Sequence, residues 1–255
     1  MSKKKRGELG PRILTIDIEC SPNLAHVWSL FKQNVSLSQL QETGEVISFA
    51  AKWHGSKRVM FYSTYHHGKA QMVKAAYDLL SEADIVVGYN SKNFDMKHLN
   101  REFVLAGYTP PAPYQQVDLL LAVRAAFRFT SHKLDHVASE LGLGSKTSHE
   151  GHSLWVKCMA GDKDAWARMR EYNKQDVVLT EQLYDRVLPW IQPHPHVGLY
   201  NGNPNACTNC GRSDQLKPRG TYKTNVISYQ RLRCDNCGKW NRGAHKVAGT
   251  SLRGV

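Results

Sequence analysis

The segment "RILTIDIEC", residues 12–20, sets apolar side chains at Ile13, Leu14, Ile16 and Ile18, on both faces of an extended chain. A strand with two apolar faces has to be covered from both sides, so the segment predicts a central strand between helices rather than a half-solvated hairpin. Asp17 and Glu19 interrupt the run two residues apart, which sends both carboxylates to one side of the sheet. Paired carboxylates in an apolar setting repel each other unless a cation lies between them. One strand is therefore expected to be both the middle of the fold and a metal-binding ledge.

The rest of the pattern extends that sheet. "EVISFAAKW" and "KRVMFYSTY", rich in β-branched and aromatic residues and split by "HGS", predict a hairpin; "DIVVGYN" predicts another buried strand and "VDLL" a short fifth. "KAQMVKAAYDLLSEA" and "FDMKHLNREFVLAGY" read as helices, the second ending near Gly107 ahead of Pro110 and Pro111. From "SHKLDHVASELGLG" onward the pattern is helical, with Ser131 as the expected cap and Gly142 as the expected stop. Three strands followed by alternating helices and strands make an α/β fold, a mixed sheet with helices on both faces. At "PWIQPHPHVGLYNGNPNA" the composition turns to Pro, Gly, Asn and His, which reads as a linker. The expected organisation is a basic tail at 1–10, a main domain at 11–192, a linker at 193–203 and a small module at 204–255.

That module carries four of the six cysteines, as "CTNC" (Cys207, Cys210) and "CDNC" (Cys234, Cys237), each pair followed by a glycine, Gly211 and Gly238. The spacing predicts a ribbon around one structural Zn²⁺, with each glycine at positive φ so that backbone amides face the thiolates. A segment this short cannot build a core of its own and needs such a staple. The other two, Cys20 and Cys158, are expected to be small core hydrophobes.

The formal charge of +12 is unevenly spread: residues 193–255 hold ten Lys/Arg against two Asp/Glu, while residues 7–192 hold twenty of each. Lys223, Arg231 and Arg233, interleaved with Tyr229 and Trp240, predict nucleic-acid binding through phosphate attraction and base stacking. No apolar run is long enough for a membrane span, and "MSKKKRGELG" lacks the apolar stretch of a secretory leader, so the expectation is a soluble, intracellular protein without membrane association.

Three short motifs carry the expected chemistry: "DIE" at 17–19, "NSKNFD" at 90–95 and "YNKQD" at 172–176. In the last, Tyr172 and Asp176 are four apart, on one helical face. In this order the three resemble the exonuclease motifs of the DEDD superfamily of 3′→5′ exonucleases, in the subclass where tyrosine replaces histidine; the histidine subclass uses the position occupied here by Glu171. The chain is similar to the proofreading domain of family-B DNA polymerases and to free-standing, largely phage-encoded relatives. Those relatives share "VWSLF", "ISFAAKW", "SHKLDHVASELGLGSK" and a Cys-rich tail. The resemblance spans about residues 11–190.

It implies an RNase H-like fold and a two-metal phosphodiesterase in DNA replication or repair, and a phage origin would make its setting a host cytoplasm. Two Mg²⁺ or Mn²⁺ ions, which suit hard oxygen ligands, would be held by Asp17, Glu19, Asp95 and Asp176. By the same resemblance Asp17, Glu19 and Asp176 hold the ion that activates water, Asp17 bridges to the second ion with Asp95, and Tyr172 orients the water. Asn90 and Phe94 are implied to contact the unpaired 3′-terminal nucleotides, and Lys133 a phosphate. Single-stranded DNA is the favoured substrate; RNA, or cleavage within a strand, stays open because the acids do not read the sugar, and the alternative of another class is a nucleic-acid-binding zinc-ribbon protein with an inactive nuclease core.

Overall fold

The computed structural model describes residues 10–144 and 150–252, so the expected basic tail, apart from Gly10, lies outside the described residues. The chain divides into two compact units: Arg12–Leu121 with Phe129–Leu183, and Tyr184–Val255 with Ala122–Arg128 and Met1–Pro11.

In the first unit β1 (Ile13–Cys20) is followed by a two-stranded excursion, β2 (Leu24–Ala25) and β3 (Leu40–Glu42), and then by the hairpin β4 (Val46–Trp53) and β5 (Val59–Ser63). α1 (Thr64–His67), α2 (Lys69–Glu82), β6 (Ile85–Gly88), α3 (Asp95–Leu105), β7 (Gln115–Asp118), α4 (Leu119–Ala126), α5 (Leu134–Glu140), α6 (His152–Met159) and α7 (Lys163–Val187) complete the order. The sheet runs β5-β4-β1-β6-β7. β1 is antiparallel to β4 and parallel to β6, hence the central strand of a mixed sheet, as its sequence predicts.

Only one face of β1 is apolar. Leu14, Ile16 and Ile18 are at most 4% exposed and pack with Phe49, Met72, Leu80, Leu99 and Phe103, each contributing on the order of 2 kcal/mol by burial. The opposite face presents Thr15, Asp17 and Glu19. It is covered all the same: Asn173 of α7 bonds to Asp17, and on the α6–α7 side Leu154, Trp166, Met169 and Tyr172 form a second apolar cluster with Ile47. β1 is thus central because helices cover both sides, although one of its two faces is polar.

Local rules explain most boundaries. α5 ends as expected at Gly142, which takes φ 67°, with Leu143 N donating to Ala138 O at 2.9 Å. It does not start at Ser131: Lys133 is the capping residue, and the Ser131 hydroxyl accepts from Lys133 N at 3.3 Å, making a turn one residue ahead of the helix cap. Gly88 closes β6 where a Cβ would lie 2.6 Å from Ser91 Cβ, so the loop after the strand folds back only over glycine.

The second unit contains α8 (Val197–Tyr200) and a three-stranded antiparallel sheet, β8 (Leu216–Lys223), β9 (Ile227–Cys234) and β10 (Trp240–Gly249), in the order β10-β9-β8. Residues 193–203, expected as a linker, are built into it. Val197 and Gly198 are buried, and a side chain at Gly198 would collide with Asn203 O and His196. Tyr184 Oη donates to His194 Nε2 at 2.8 Å while His194 Nδ1 donates to Pro195 O at 2.7 Å. Packing and these two bonds hold the segment expected as a linker, and it lies inside the compact unit that runs on from Tyr184. Among the described residues no helix is long and apolar enough to cross a membrane.

Candidate metal centres

Oxygen ligands of Asp17, Glu19 and Asp176 all lie within 4.8 Å of one another. Asp17 and Glu19 arrive from alternate positions of β1, and Asp176 from α7 lying across that face. Asn173, fully buried one turn before Asp176, clamps Asp17: its Nδ2 donates to Asp17 Oδ2 at 2.7 Å and to Asp17 O at 3.2 Å, and Ser48 Oγ donates to its Oδ1 at 3.4 Å. This amide pins the carboxylate rotamer, and nothing in the motif reading pointed to it. The one available signal was its spacing from Asp176, i and i+3 on one face.

Tyr172 joins the same face. Its ring packs edge-on to Trp155, with centroids 6.0 Å apart, and its hydroxyl is hydrogen-bonded to Asp176. Burial, then the carboxylates of Asp176, Glu19 and Asp17, push the phenol far above its ordinary range, so at neutral pH it is a proton-bearing donor and not a base.

Asp95 lies beside this cluster but outside the trio. It is 3% exposed at the first position of α3, and its Oδ1 accepts from Ile18 N, between Asp17 and Glu19, at 3.1 Å. Burial chiefly, and to a lesser degree Asp118, pushes its carboxyl up to about 7, a state that a cation would reverse. Neither Asn93 nor Asp95 caps α3 by side chain; the capping position is Phe94, with no side-chain bond.

Asp118, at the end of β7, was not foreseen. Its carboxylate accepts from Asn90 N at 3.0 Å, Lys92 N at 3.1 Å and Leu120 N at 3.0 Å, tying the "NSKNFD" loop to β7 and α4. Asn90 needs that support because it holds φ 62°, a left-handed conformation that asparagine tolerates best among residues with a Cβ. Phe94 is 41% exposed with its ring beside that of His98 (centroids 4.6 Å apart), so it is not a core residue. Lys133 is exposed at the start of α5.

In the second unit the four thiols of Cys207, Cys210, Cys234 and Cys237 also lie within 4.8 Å of one another. The Cys207–Cys237 and Cys210–Cys234 sulfurs are 3.6 and 3.5 Å apart. Thiolates around a tetrahedral Zn²⁺ at about 2.3 Å stand about 3.8 Å from each other, so the set fits such an ion, and none is in a disulfide. Gly211 and Gly238 take φ 71° and 79°, returning their amides to Cys207 O and Cys234 O at 2.9 and 2.8 Å. Cys207 is drawn down to about 4, first by its bond with Cys210 and then by the backbone amides of Cys210 and Asn209, with the Asn241 amide adding a 3.6 Å contact. Cys20 and Cys158, by contrast, are pushed up to about 12 and about 11 by burial, which suits the inert core role expected of them.

The sheet of this unit sorts its side chains sharply. Tyr229, Arg231 and Arg233 alternate onto one face of β9; opposite them stand Lys217 and Tyr222 of β8 and Trp240, Arg242 and Lys246 of β10. Five cations and three rings share this face, with Arg231 4.8 Å over Trp240 and Arg242 4.2 Å over Tyr229. Lys223 pairs with Ser228 and points to the other face.

A five-stranded mixed sheet of this order, flanked by helices and carrying converging carboxylates, is the frame of an RNase H-like nuclease. The profile of the RNase_H superfamily matches residues 26–188, well over half of the chain, and the protein belongs to that superfamily. The match begins after β1, so Asp17 and Glu19 fall outside it. Among solved structures, the family B DNA polymerase from the hyperthermophilic archaeon Pyrobaculum calidifontis is similar in fold, with a TM-score of 0.53 and 19% identity over 70% of this chain. The similarity spans a quarter of the polymerase's own length. No curated protein matches the sequence.

Proposed function

We propose that this protein is a metal-dependent 3′→5′ exonuclease that hydrolyses phosphodiester bonds at unpaired 3′ ends, with single-stranded DNA as the favoured substrate. The observation that carries the reading is the meeting of Asp17, Glu19 and Asp176, from opposite ends of the first unit, within 4.8 Å. Three hard carboxylates with a buried fourth, Asp95, one amide away suit Mg²⁺ or Mn²⁺ better than any softer ion. Asp17, Glu19 and Asp176 would hold such an ion, with Asp95 available to a second. Bound there, the divalent cations supply Lewis acidity for activating water and stabilising the leaving 3′-oxygen. Asn173 keeps Asp17 turned into the cluster. The protonated Tyr172 offers a hydrogen bond for aligning a water or a phosphoryl oxygen. Asn90 and the half-exposed Phe94 ring are suited to meet the terminal nucleotides, and exposed Lys133 a phosphate.

The cationic, ring-bearing face of β8–β10 is read as a second grip on the strand, in which phosphates meet Arg231, Arg233 and Arg242 and bases stack on Tyr229 and Trp240. Carried on the same chain, such a grip raises the local concentration of substrate at the acids.

The test uses 5′-labelled DNA and RNA oligonucleotides with Mg²⁺ or Mn²⁺, beside Asp17→Ala and a Arg231→Ala/Arg242→Ala double variant. A ladder shortening from the 3′ end, reduced at least about a thousandfold in Asp17→Ala, is expected. The double variant should keep cleavage of short oligonucleotides while the slope of log affinity against log salt falls by about 2. Internal products, or shifted bands without cleavage, would sink the exonuclease reading.

A further inference from the structure

A hollow of about 460 Å³ opens in the first unit between β5, α1 and α7, and it plays no part in the reading above. Arg58, His66, His67, Arg170 and Lys174 line it, and among the described residues no acid does. The volume lies in the range of small-ligand sites. Arg170 and Lys174 are four apart on α7, while Tyr172 and Asp176 lie about 200° round the same helix from them. The hollow and the acidic cluster therefore occupy opposite flanks of one helix, with Asn173 between them facing Asp17.

The charges around the hollow are unusually poor in partners. Glu171 reaches Arg170 at 3.6 Å, but both side chains are well exposed, so the pair is weak. Glu181, the next acid along that flank, is already engaged by Lys52, by Gly55 N at 3.0 Å and by His54 at 3.4 Å. Among the described residues Arg58 and Lys174 have no acidic partner. Two imidazoles are oriented at the rim: Ser63 N donates to His67 Nδ1 at 3.2 Å, which leaves Nε2–H as the donor of His67, and His66 Nδ1 is held to Ser63 Oγ at 2.7 Å. Burial chiefly, and to a lesser degree the nearby Arg170 and His67, lower the basicity of His66. Phe61 supplies ring surface in the wall, while the Tyr62 ring is stacked on Phe49, with centroids 5.2 Å apart. Like charges gathered around one cavity repel, and an anion placed among them relieves that repulsion while accepting hydrogen bonds.

We infer that this hollow is a phosphate-binding site, separate from the acidic cluster, that takes a phosphate carrying a ring: a free nucleoside monophosphate or a phosphodiester of a bound strand. Arg170 and Lys174 pair with the phosphate oxygens, Arg58 closes the far side, His67 Nε2–H donates, and the base lies against Phe61, which shares the α7 side of β5. Binding here does not depend on the nuclease reading, so either can fail alone.

The full-length chain bearing Asp17→Ala, which blocks hydrolysis, is titrated with thymidine monophosphate, inorganic phosphate and a short oligodeoxynucleotide. The His66 and His67 ring resonances and calorimetry report binding. Expected are saturable shifts of both imidazoles with the nucleotide, and at least tenfold weaker binding in Arg170→Ala/Lys174→Ala and, independently, in Arg58→Ala, with unchanged melting temperatures. Competition by the oligonucleotide identifies a strand phosphate as the occupant, and its failure to compete identifies the free nucleotide. Unmoved imidazole signals, or affinities that neither variant changes, overturn the site.

Discussion

In the first unit, a five-stranded sheet is filled by residues such as Leu14, Ile16, Phe49, Leu80 and Trp166, all at most 2% exposed, and the acidic cluster sits on a frame that is already stable. In the second unit β8 and β10 are exposed along almost their whole length, and among the described residues from Ile191 onward the buried hydrophobic ones are Ile191, Val197, Ala206, Cys207 and Cys234. Two of those five are themselves sulfur ligand candidates. The difference teaches that similar-looking clusters have opposite relations to folding. The acids are a burden that the first unit's apolar packing tolerates; the thiols are what gives the second unit a centre.

The largest way to break this comparison is to deny the thiols the zinc that their spacing fits. Chelation, or Cys234→Ser, is expected to unfold the second unit, because structural zinc sites contribute roughly 10–16 kcal/mol of apparent binding free energy to folding. Amide exchange across β8–β10 should then become fast while β1, β4 and β6 stay protected. Loss of protection in both units together would show that they fold as one.

A smaller effect is expected at Asn173→Ala. Freed from its clamp, Asp17 should bind Mn²⁺ about 10- to 100-fold more weakly, read by calorimetry. The vacated Ser48 hydroxyl should cost about 1–3 kcal/mol of stability in the first unit. Unaltered Mn²⁺ affinity would mean that the acid cluster needs no organising amide.

At neutral pH the smallest effect is on the second unit's side, where the difference opens only in acid. Burial holds the His194 imidazole down at about 4, below its ordinary 6.5, so the folded state takes up its proton later than the unfolded one. Its contribution is fully present above pH 6.5 and is lost as pH falls toward 4, at up to about 1.4 kcal/mol per pH unit. Comparing wild type with His194→Gln by denaturant unfolding of the zinc-loaded protein should show a flatter acid limb in the variant. Parallel limbs would remove His194 from the account.

Much of this was legible beforehand, and the reasons are local. β1, the β4–β5 hairpin, β6 and α3 follow from apolar periodicity and from turn residues such as Gly55 and Gly107. The knuckles follow from Cys-x₂-Cys-Gly spacing, whose positive-φ glycines act over five residues. What was not legible depends on partners far along the chain. The segment 193–203 looks like a linker until His194 meets Tyr184 and Gly198 meets Asn203. Ser131 looks like a cap until the turn ahead of α5 takes its hydroxyl.

By itself the sequence determined the alternation of strands and helices, the one strand that carries paired carboxylates and the two cysteine knuckles, since each is written in the spacing of neighbours along the backbone. Only the tertiary structure decided that Asn173 holds Asp17, that Asp118 ties down Asn90, that Lys223 leaves the face shared by Arg231 and Trp240, and that five basic groups ring one hollow. Those outcomes hang on strand register and on how α7 is rotated over the sheet. A one-residue slip or a fraction of a turn would redirect every side chain involved without altering a single local pattern.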